Sequence, residues 1–422
     1  MRKQITLVLL TVLISFSVSP LIFGQTNDFK AEALQEFEKE NYPQAIAFLH
    51  QALEQNPNDK EIYYYLGYFY HYNAYDSRPL AGYDLDYSDT VFYYLEKALE
   101  LDPAYGDATY FYVAECGAQA FYALQHKDYA RVKQLYQKAA SVGGFPEWAL
   151  EYGKLLFSQV APGSILFTHG DFMLNVCWYL QLCENYRTDV SVIPLVMLNR
   201  PFFVLELMHG TLFQAVQFNA SEFQVMNMHP AKWDTLSLSI PVPDSLKTVY
   251  ALPPTYEMTW EVAPDLQGKR SYLSTERTLL LDIIEANRWK RSVYWAKGMD
   301  AYYLGGLEAY GCDKGLVSKL VPIKTQETSY AFDPKAVADL WEKNPPLNYR
   351  SILEKNQPRV SAVVLYTYAS GLIALAAHYK ETGESAKIEQ VIRWYQNHLN
   401  LGVWPGYETN YLDRLLELKV KN

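Results

Sequence analysis

Apolar and polar positions change period along the chain, and the change marks one stretch, Ser164 to Gly210, as the organising element. A short apolar run, Ile165 to Thr168, ends in Gly170-Asp171, and an amphipathic run follows with Leu174, Val176, Cys177, Leu180 and Leu182. A second apolar run covers Val190 to Leu195, and Pro201 to His209 reads as a further short helix. A short apolar run, then a helical period, then a second apolar run predicts a strand, a crossover helix and a parallel strand. The crossover helix is apolar on more than one side, as for a helix packed between a sheet and another layer. Upstream, Glu147 to Gln159 predicts a helix, with Trp148, Leu150, Tyr152, Leu155, Leu156 and Phe157 on a broad apolar side, and Ala161-Pro162-Gly163 turns the chain. Downstream, an irregular polar stretch leads to a predicted strand at Thr248 to Leu252, ended by Pro253-Pro254. A helix then opens at an N-cap Ser274, and Arg277 stands where a capping box has Glu. Leu279, Leu280, Ile283 and Ile284 carry that helix, and Arg291 to Ala296 predicts another strand. Strands alternating with helices predict a mainly parallel, three-layer α/β domain over 146–325.

The flanks have helical periodicity only. Over 25–145, Ala33, Ala45, Leu49, Ala52 and Pro57 are followed at repeat spacing by Tyr63, Leu66, Gly67, Tyr70, Leu95, Ala98 and Pro103. Leu53-Glu54-Gln55-Asn56-Pro57 matches Leu99-Glu100-Leu101-Asp102-Pro103, and small residues within each pair let two helices approach. These offsets resemble tetratricopeptide repeats, about three of them, with Pro stopping each second helix. The second unit is interrupted around Arg78-Pro79-Leu80-Ala81-Gly82-Tyr83, an exposed loop by composition. A less regular third unit runs through Asp107, Ala120, Val132, Tyr136 and Ala139, and Gly143-Gly144-Phe145-Pro146 closes the array. After a linker over 326–360 with a short helix at Pro334 to Glu342, a C-terminal hairpin over 361–422 again resembles a tetratricopeptide unit, turning at Glu381-Thr382-Gly383-Glu384, with a last helix at Tyr411 to Leu418. The expected fold class is thus α plus α/β: N-terminal helical repeats, a mainly parallel three-layer α/β domain, and a C-terminal helical hairpin.

Composition narrows the address more than the chemistry. Arg2 and Lys3 precede an apolar run, Ile5 to Phe23, with the small Gly24 before Gln25. Residues 1–24 read as a secretory signal peptide, and the protein is expected to be periplasmic or secreted. If uncleaved, the same run is an N-terminal membrane anchor, since it is near the lower length limit for a span. A net charge of −10 without a basic stripe argues against nucleic acid. Cys116, Cys177, Cys183 and Cys312 form no metal pattern and read as small buried hydrophobes, although a bridge is chemically open in an oxidising compartment. The crowded tyrosines Tyr63, Tyr64, Tyr65, Tyr68, Tyr70 and Tyr72 read mainly as helix packing.

Ligands of open parallel sheets bind beyond the carboxyl ends of strands. Thr168, His169, Gly170 and Asp171 lie at such an end, with Asn199 and Arg200 placed after the second strand to complete a pocket. Asp171 has two readings: an N-cap of the following helix, or, with His169, a polar pair that binds a ligand or acts as a general base. Arg187 and Asp189 are spaced for a structural turn contact. Asp282, Asn287 and Arg291 are structural candidates as well, with Arg291 or Arg187 the expected ionic partner of Asp282. No GxGxxG follows a strand, and there is no Walker motif, GxSxG or HExxH, so no metal and no cofactor is expected.

Residues 164–209 and 274–323 resemble the soluble C-terminal part of a bacterial family of protein-O-mannosyltransferase-like membrane proteins, a domain of unknown function. The resemblance rests on Gly170-Asp171, Trp178-Tyr179-Leu180-Gln181, Arg187-Thr188-Asp189-Val190, Leu281-Asp282-Ile283-Ile284, Asn287-Arg288-Trp289-Lys290-Arg291, Gly315-Leu316-Val317 and Leu320-Val321-Pro322. Phe172-Met173-Leu174 departs from that family's polar Asn-Asp-Thr, Ser292 replaces its usual Pro, and the membrane-spanning catalytic part is absent. The resemblance implies a periplasm-facing stand-alone or accessory domain rather than a mannosyltransferase. The expectation is an exported binding or scaffold protein, not an enzyme, whose repeats and α/β domain engage a protein, peptide or glycan. The alternative is a glycan-related enzyme, or an accessory subunit of a membrane glycosylation machinery, using the Gly170-Asp171 loop.

Overall fold

The structure, a computed structural model, describes residues 28–77, 87–267, 270–326, 328–343, 358–399 and 411–420. The expected signal peptide, the loop at 78–83 and much of the linker lie outside them. The chain opens with helices α1 (Phe29–Glu38), α2 (Tyr42–Gln55), α3 (Lys60–Ser77), α4 (Ser88–Leu101), α5 (Gly106–Gln125) and α6 (Tyr129–Ser141). Each packs on the next, giving three stacked hairpins. Their seams are closed by the small residues Ala33, Ala45, Ala52, Ala98, Ala108 and Ala139, all buried. The crowded tyrosines do pack: Tyr64, Tyr68, Phe69 and Phe111 form one contiguous aromatic core between α3 and α5.

Next come α7 (Glu147–Ser158), β1 (Ile165–Thr168), α8 (Asp171–Glu184), β2 (Ser191–Pro194), a 3₁₀ turn at Leu195–Asn199, and α9 (Pro201–His209). They are followed by α10 (Glu222–Met226), β3 (Ala231–Lys232), β4 (Leu236–Pro241), α11 (Asp244–Val249), β5 (Glu257–Val262), β6 (Asp265–Gln267) and β7 (Arg270–Leu273). The α/β part ends with α12 (Thr275–Asn287), β8 (Val293–Ala296), α13 (Ala301–Leu304), β9 (Gly311–Asp313), β10 (Val317–Leu320) and α14 (Pro334–Lys343). The main sheet has the order β2-β1-β8-β10-β9. β1 pairs in parallel with both β2 and β8, whereas β10 runs antiparallel to β8 and to β9. The parallel character expected is therefore confined to the three strands joined through helices, and the sheet is mixed. Two smaller antiparallel sheets, β3-β7-β6 and β4-β5, arise from the stretch that reads as irregular. In β5 the alternation is clean, with Met258, Trp260 and Val262 buried and their neighbours exposed.

The expected strand at Thr248 to Leu252 is not formed. Thr248 and Val249 end α11, which Pro243 caps and Asp244 opens, both favourable for a helix start. Val249 is 64 % exposed, so its apolar side chain has no sheet to join. The C-terminal helices Pro358–Glu381 and Ser385–His398 form the expected hairpin, turning at Gly383 with φ +75°, and Tyr411–Val420 packs on both. Trp341 of α14 joins this hairpin to the core through Tyr368, which in turn contacts Tyr152 of α7.

Two turns at the amino end of the parallel strands hold the α/β core in register. In the first, Arg187 (φ +48°) gives Nη1 to the Phe157 carbonyl at 2.6 Å and Nη2 to Ala161 at 3.1 Å, and grips Asp189 with two nitrogens at 2.8 and 3.1 Å. Asp189 also accepts the Gly163 N–H at 2.8 Å. In the second, Arg288 and Trp289 are consecutive left-handed non-glycine residues, a costly conformation held by the surrounding bonds. Asn287 closes the turn by bonding both the N–H and the C=O of Arg291, at 3.1 and 2.9 Å. Arg291 then reaches the Gly163, Ser164 and Ala215 carbonyls and Ser191 Oγ at 2.5 to 2.8 Å. It thereby ties the starts of β1 and β2 to the loop after α9.

Removing Arg291 strands half-buried carbonyls, and each stranded buried group costs about 1–3 kcal/mol. Arg291→Met should lower the unfolding free energy by about 3 kcal/mol in urea titration, with Arg291→Lys restoring only a minor part because one ammonium cannot reproduce the fork.

Candidate functional site

β1 occupies a special place in the sheet. The chain passes from β1 through α8 to β2 on one side, and later returns through α12 to β8 on the other side of β1. Right-handed crossovers in opposite directions put α8 and α12 on opposite faces. α8 packs on α5, α6 and α7, whereas α12 packs on the 3₁₀ turn and α13. The carboxyl end of β1 is therefore a topological switch point, where such sheets leave a crevice.

Thr168, His169, Gly170 and Asp171 line that end. Thr168 is fully buried, and its hydroxyl has no hydrogen-bond partner among the described residues. Gly170 has φ +86° and ψ 147°, a conformation almost confined to glycine, and a Cβ there would meet nothing within 4 Å. The backbone is thus bent over open space. Gly170, not Asp171, is the N-cap of α8, so the capping role read for Asp171 is not the one it plays. Asp171 is the first helical residue, where a negative charge meets the positive end of the helix dipole. No hydrogen bond reaches its carboxylate among the described residues.

Asp171 is exposed to solvent, yet protein packs closely around its carboxyl. Burial is the main influence on its carboxyl and raises the pKa above the usual aspartate value, while His71 and His169 oppose the rise. His71 comes from α3, so the repeat helices form one wall. Its Nδ1 meets Glu115 Oε2 of α5 at 2.8 Å in a buried pair, and Ser88 also donates to Glu115. The other wall is Tyr303 after β8, whose ring lies 5.0 Å from the His169 ring. Below them, Tyr136 of α6 donates to Asn175 Oδ1 of α8 at 3.0 Å. Gly117 of α5 makes that approach possible, since a Cβ there would stand 2.8 Å from Asn175 Oδ1. The seam continues through Trp178 of α8, fully buried against Phe121, Phe203 and Phe213.

The remaining candidates lie apart from Asp171. Asn199 and Arg200 line a hollow of about 520 Å³ whose lining includes none of Thr168, His169, Gly170 or Asp171. Arg187, Asp189, Asn287 and Arg291 sit at the opposite, amino end of the strands and are structural. The Arg187 hydrogen bonds hold the Asp189 carboxyl down at about 2. Asp282 meets neither arginine: its carboxylate accepts the Asn219 and Ala220 N–H groups at 2.9 and 3.3 Å, because both guanidinium groups are taken up by the amino-end turns. Arg277 is not a failed capping residue. It forms a buried ion pair with Asp265 at 2.6 Å and stacks under Tyr302. The four cysteines are free, Cys116 and Cys177 buried and Cys183 and Cys312 half-buried. Sequence patterns alone miss His71, Glu115, Asn175 and Tyr303. The accessible signals were a histidine on an otherwise apolar helix and a glycine in mid-helix at Gly117.

A family model described as TMEM260-associated domain 2 matches residues 149–222 and 214–338, the region from α7 to α14. No curated protein and no solved structure matches the chain. Among the described residues no helix is long and apolar enough to cross a membrane.

The raised carboxyl gives a signed prediction. A carboxyl whose folded pKa exceeds its unfolded value adds stability below the unfolded value, near 3.9, and loses it as pH rises through the folded one. Asp171→Asn should therefore raise the melting temperature at pH 7, and the gain should shrink as the pH is lowered towards about 4. A gain independent of pH in calorimetry would remove the electrostatic cause.

Proposed function

We propose that this is an exported binding protein of the cell envelope, and that it holds a neutral glycan at the carboxyl end of β1. The observation that carries the proposal is the exposed Asp171 carboxylate at the switch point, without a hydrogen-bond partner among the described residues. A sugar hydroxyl would supply that bond, and the Tyr303 ring, tilted against His169, offers an aromatic face for a sugar ring. The tetratricopeptide-like helices would serve as the opposite wall through His71 and as a surface for a protein or peptide partner. The basic, apolar start of the chain supports export, and the resemblance to a glycosylation-linked family supports a glycan and an accessory place beside such machinery. The net charge of −10 speaks against nucleic acid.

Binding is favoured over hydrolysis by the charges near Asp171. Glycoside cleavage usually takes two carboxyl groups flanking one bond. Here the side chains acting on Asp171 are two histidines, with no second carboxyl group among them. Glu115, the acid behind His71, is already engaged by His71 and Ser88.

Isothermal titration with a panel of neutral oligosaccharides tests the reading. At least one should bind the wild type, and Asp171→Asn should weaken it about ten- to a hundredfold, the value of a lost charge-assisted hydrogen bond. Full affinity in the variant, or no binding by any member of the panel, would refute it.

A further inference from the structure

A hollow opens after the 3₁₀ turn that follows β2, between the turn joining α5 to α6 and the start of α9, with a volume of about 520 Å³. That size suits a small ligand. Lys127 stands on the repeat side and Arg200 on the α/β side. Neither side chain meets a carboxylate or other acceptor among the described residues. The one carboxylate lining the hollow, Glu206, is already engaged by Tyr129 Oη at 3.0 Å and by the Leu212 and Phe213 N–H groups. In a chain of net charge −10, this leaves two cations lining one hollow without a counter-charge among the described residues. Asn199, beside Arg200 in the lining, has its Oδ1 buried without a hydrogen-bond partner among the described residues. Phe202 and Leu205 add an apolar side.

We infer that this hollow binds a small hydroxylated organic anion of the acidic-sugar class, its phosphate or carboxylate held by Arg200 and Lys127 and a hydroxyl donating to Asn199. Arginine forks match either anion. The hydroxyl satisfies the Asn199 oxygen, and the apolar face of the ring rests on Phe202 and Leu205. Since the two cations come from different parts of the chain, the ligand clamps the repeat helices to the α/β core. This site is distinct from Asp171, which takes a neutral ligand and stands or falls separately.

Isothermal titration of the full chain with glucose 6-phosphate, glucuronate and glucose decides the matter. At least one of the two anions should bind, more weakly as salt rises, and glucose should not. Binding by the phosphate alone or the carboxylate alone identifies the anionic group. Arg200→Gln and Lys127→Gln should each weaken binding about tenfold or more, with Arg393→Gln, an exposed cation elsewhere, as control. Circular dichroism establishes that the variants are folded. The proposal is overturned if glucose binds as tightly as the anions, if the folded glutamine variants keep full affinity, or if neither anion binds at about 10 mM. It is equally overturned if anion binding falls with Asp171→Asn but not with Arg200→Gln, which would place the ligand at β1.

Discussion

The α/β core depends on two guanidinium groups that grip the same piece of backbone. Arg187 takes the carbonyls of Phe157, Val160 and Ala161, and Arg291 takes those of Gly163 and Ser164. The connection from α7 into β1 has little regular structure of its own, so its carbonyls need donors from elsewhere. The forks supply them and fix where β1 begins. Both arginines are delivered by turns containing left-handed non-glycine residues, at Asn185 and Arg187 in one and at Arg288 and Trp289 in the other. Such turns persist only where bonds overdetermine them. This explains why the Arg-x-Asp and Asn-x-Trp-x-Arg spacings are visible in the sequence: they are conditions for the fold rather than for chemistry.

The two ends of β1 differ. At the amino end the arginine forks and Asn287 satisfy the carbonyls of the turns, leaving Trp289 Nε1 and Gln181 Oε1 unmatched among the described residues. At the carboxyl end, among the described residues, Thr168 Oγ1 has no partner, Gly170 bends over open space, and no hydrogen bond reaches the Asp171 carboxylate. Buried polar groups left unmatched carry a free-energy cost. A rigid amino end tolerates that cost locally, which is the usual relation between a scaffold and a site.

How much of this was legible follows from the range of each interaction. The strands at Ile165–Thr168 and Ser191–Pro194 are read as short apolar runs because they are buried on both faces, and the helices from periodicity because burial of one face imposes a period on neighbouring residues. The Arg187–Asp189 and Asn287–Arg291 pairings were legible as structural because they are local turn contacts, whereas the long reach of both guanidinium groups to the start of β1 was not. The partner of Asp282 was not, since it is backbone sixty residues away and leaves no trace in side-chain identity. The small antiparallel sheets escaped notice because β4 exposes most of its residues and so lacks the alternation that marks a half-buried strand. Thr248 to Leu252 misled for the converse reason: β-favouring residues without anything to pack on follow the Pro-Asp helix start instead. The His71–Glu115 wall had only the faint local signal of a histidine among apolar residues, because its partner lies on another helix. It exists because α3, α5 and α8 meet in space.

That meeting gives the repeats their place in the molecule. α8 can lie against α5 only where Gly117 removes a side chain and Asn175 fills the gap, and Trp178 then joins the aromatic seam one turn further on. Once α8 is fixed there, the carboxyl ends of β1 and β2 both open beside repeat helices rather than into bulk solvent. β1 meets His71 of α3 there, and β2 meets Lys127 and Tyr129 at the turn from α5 to α6. A parallel sheet alone would present a shallow edge. The repeats flank that edge, placing His71 near the exposed Asp171 carboxylate at β1 and lining one side of the cationic hollow at β2. Because both places draw on the repeats as well as the sheet, they depend on the α5–α8 seam, so a change at Gly117 would be felt at both even though it touches neither ligand position.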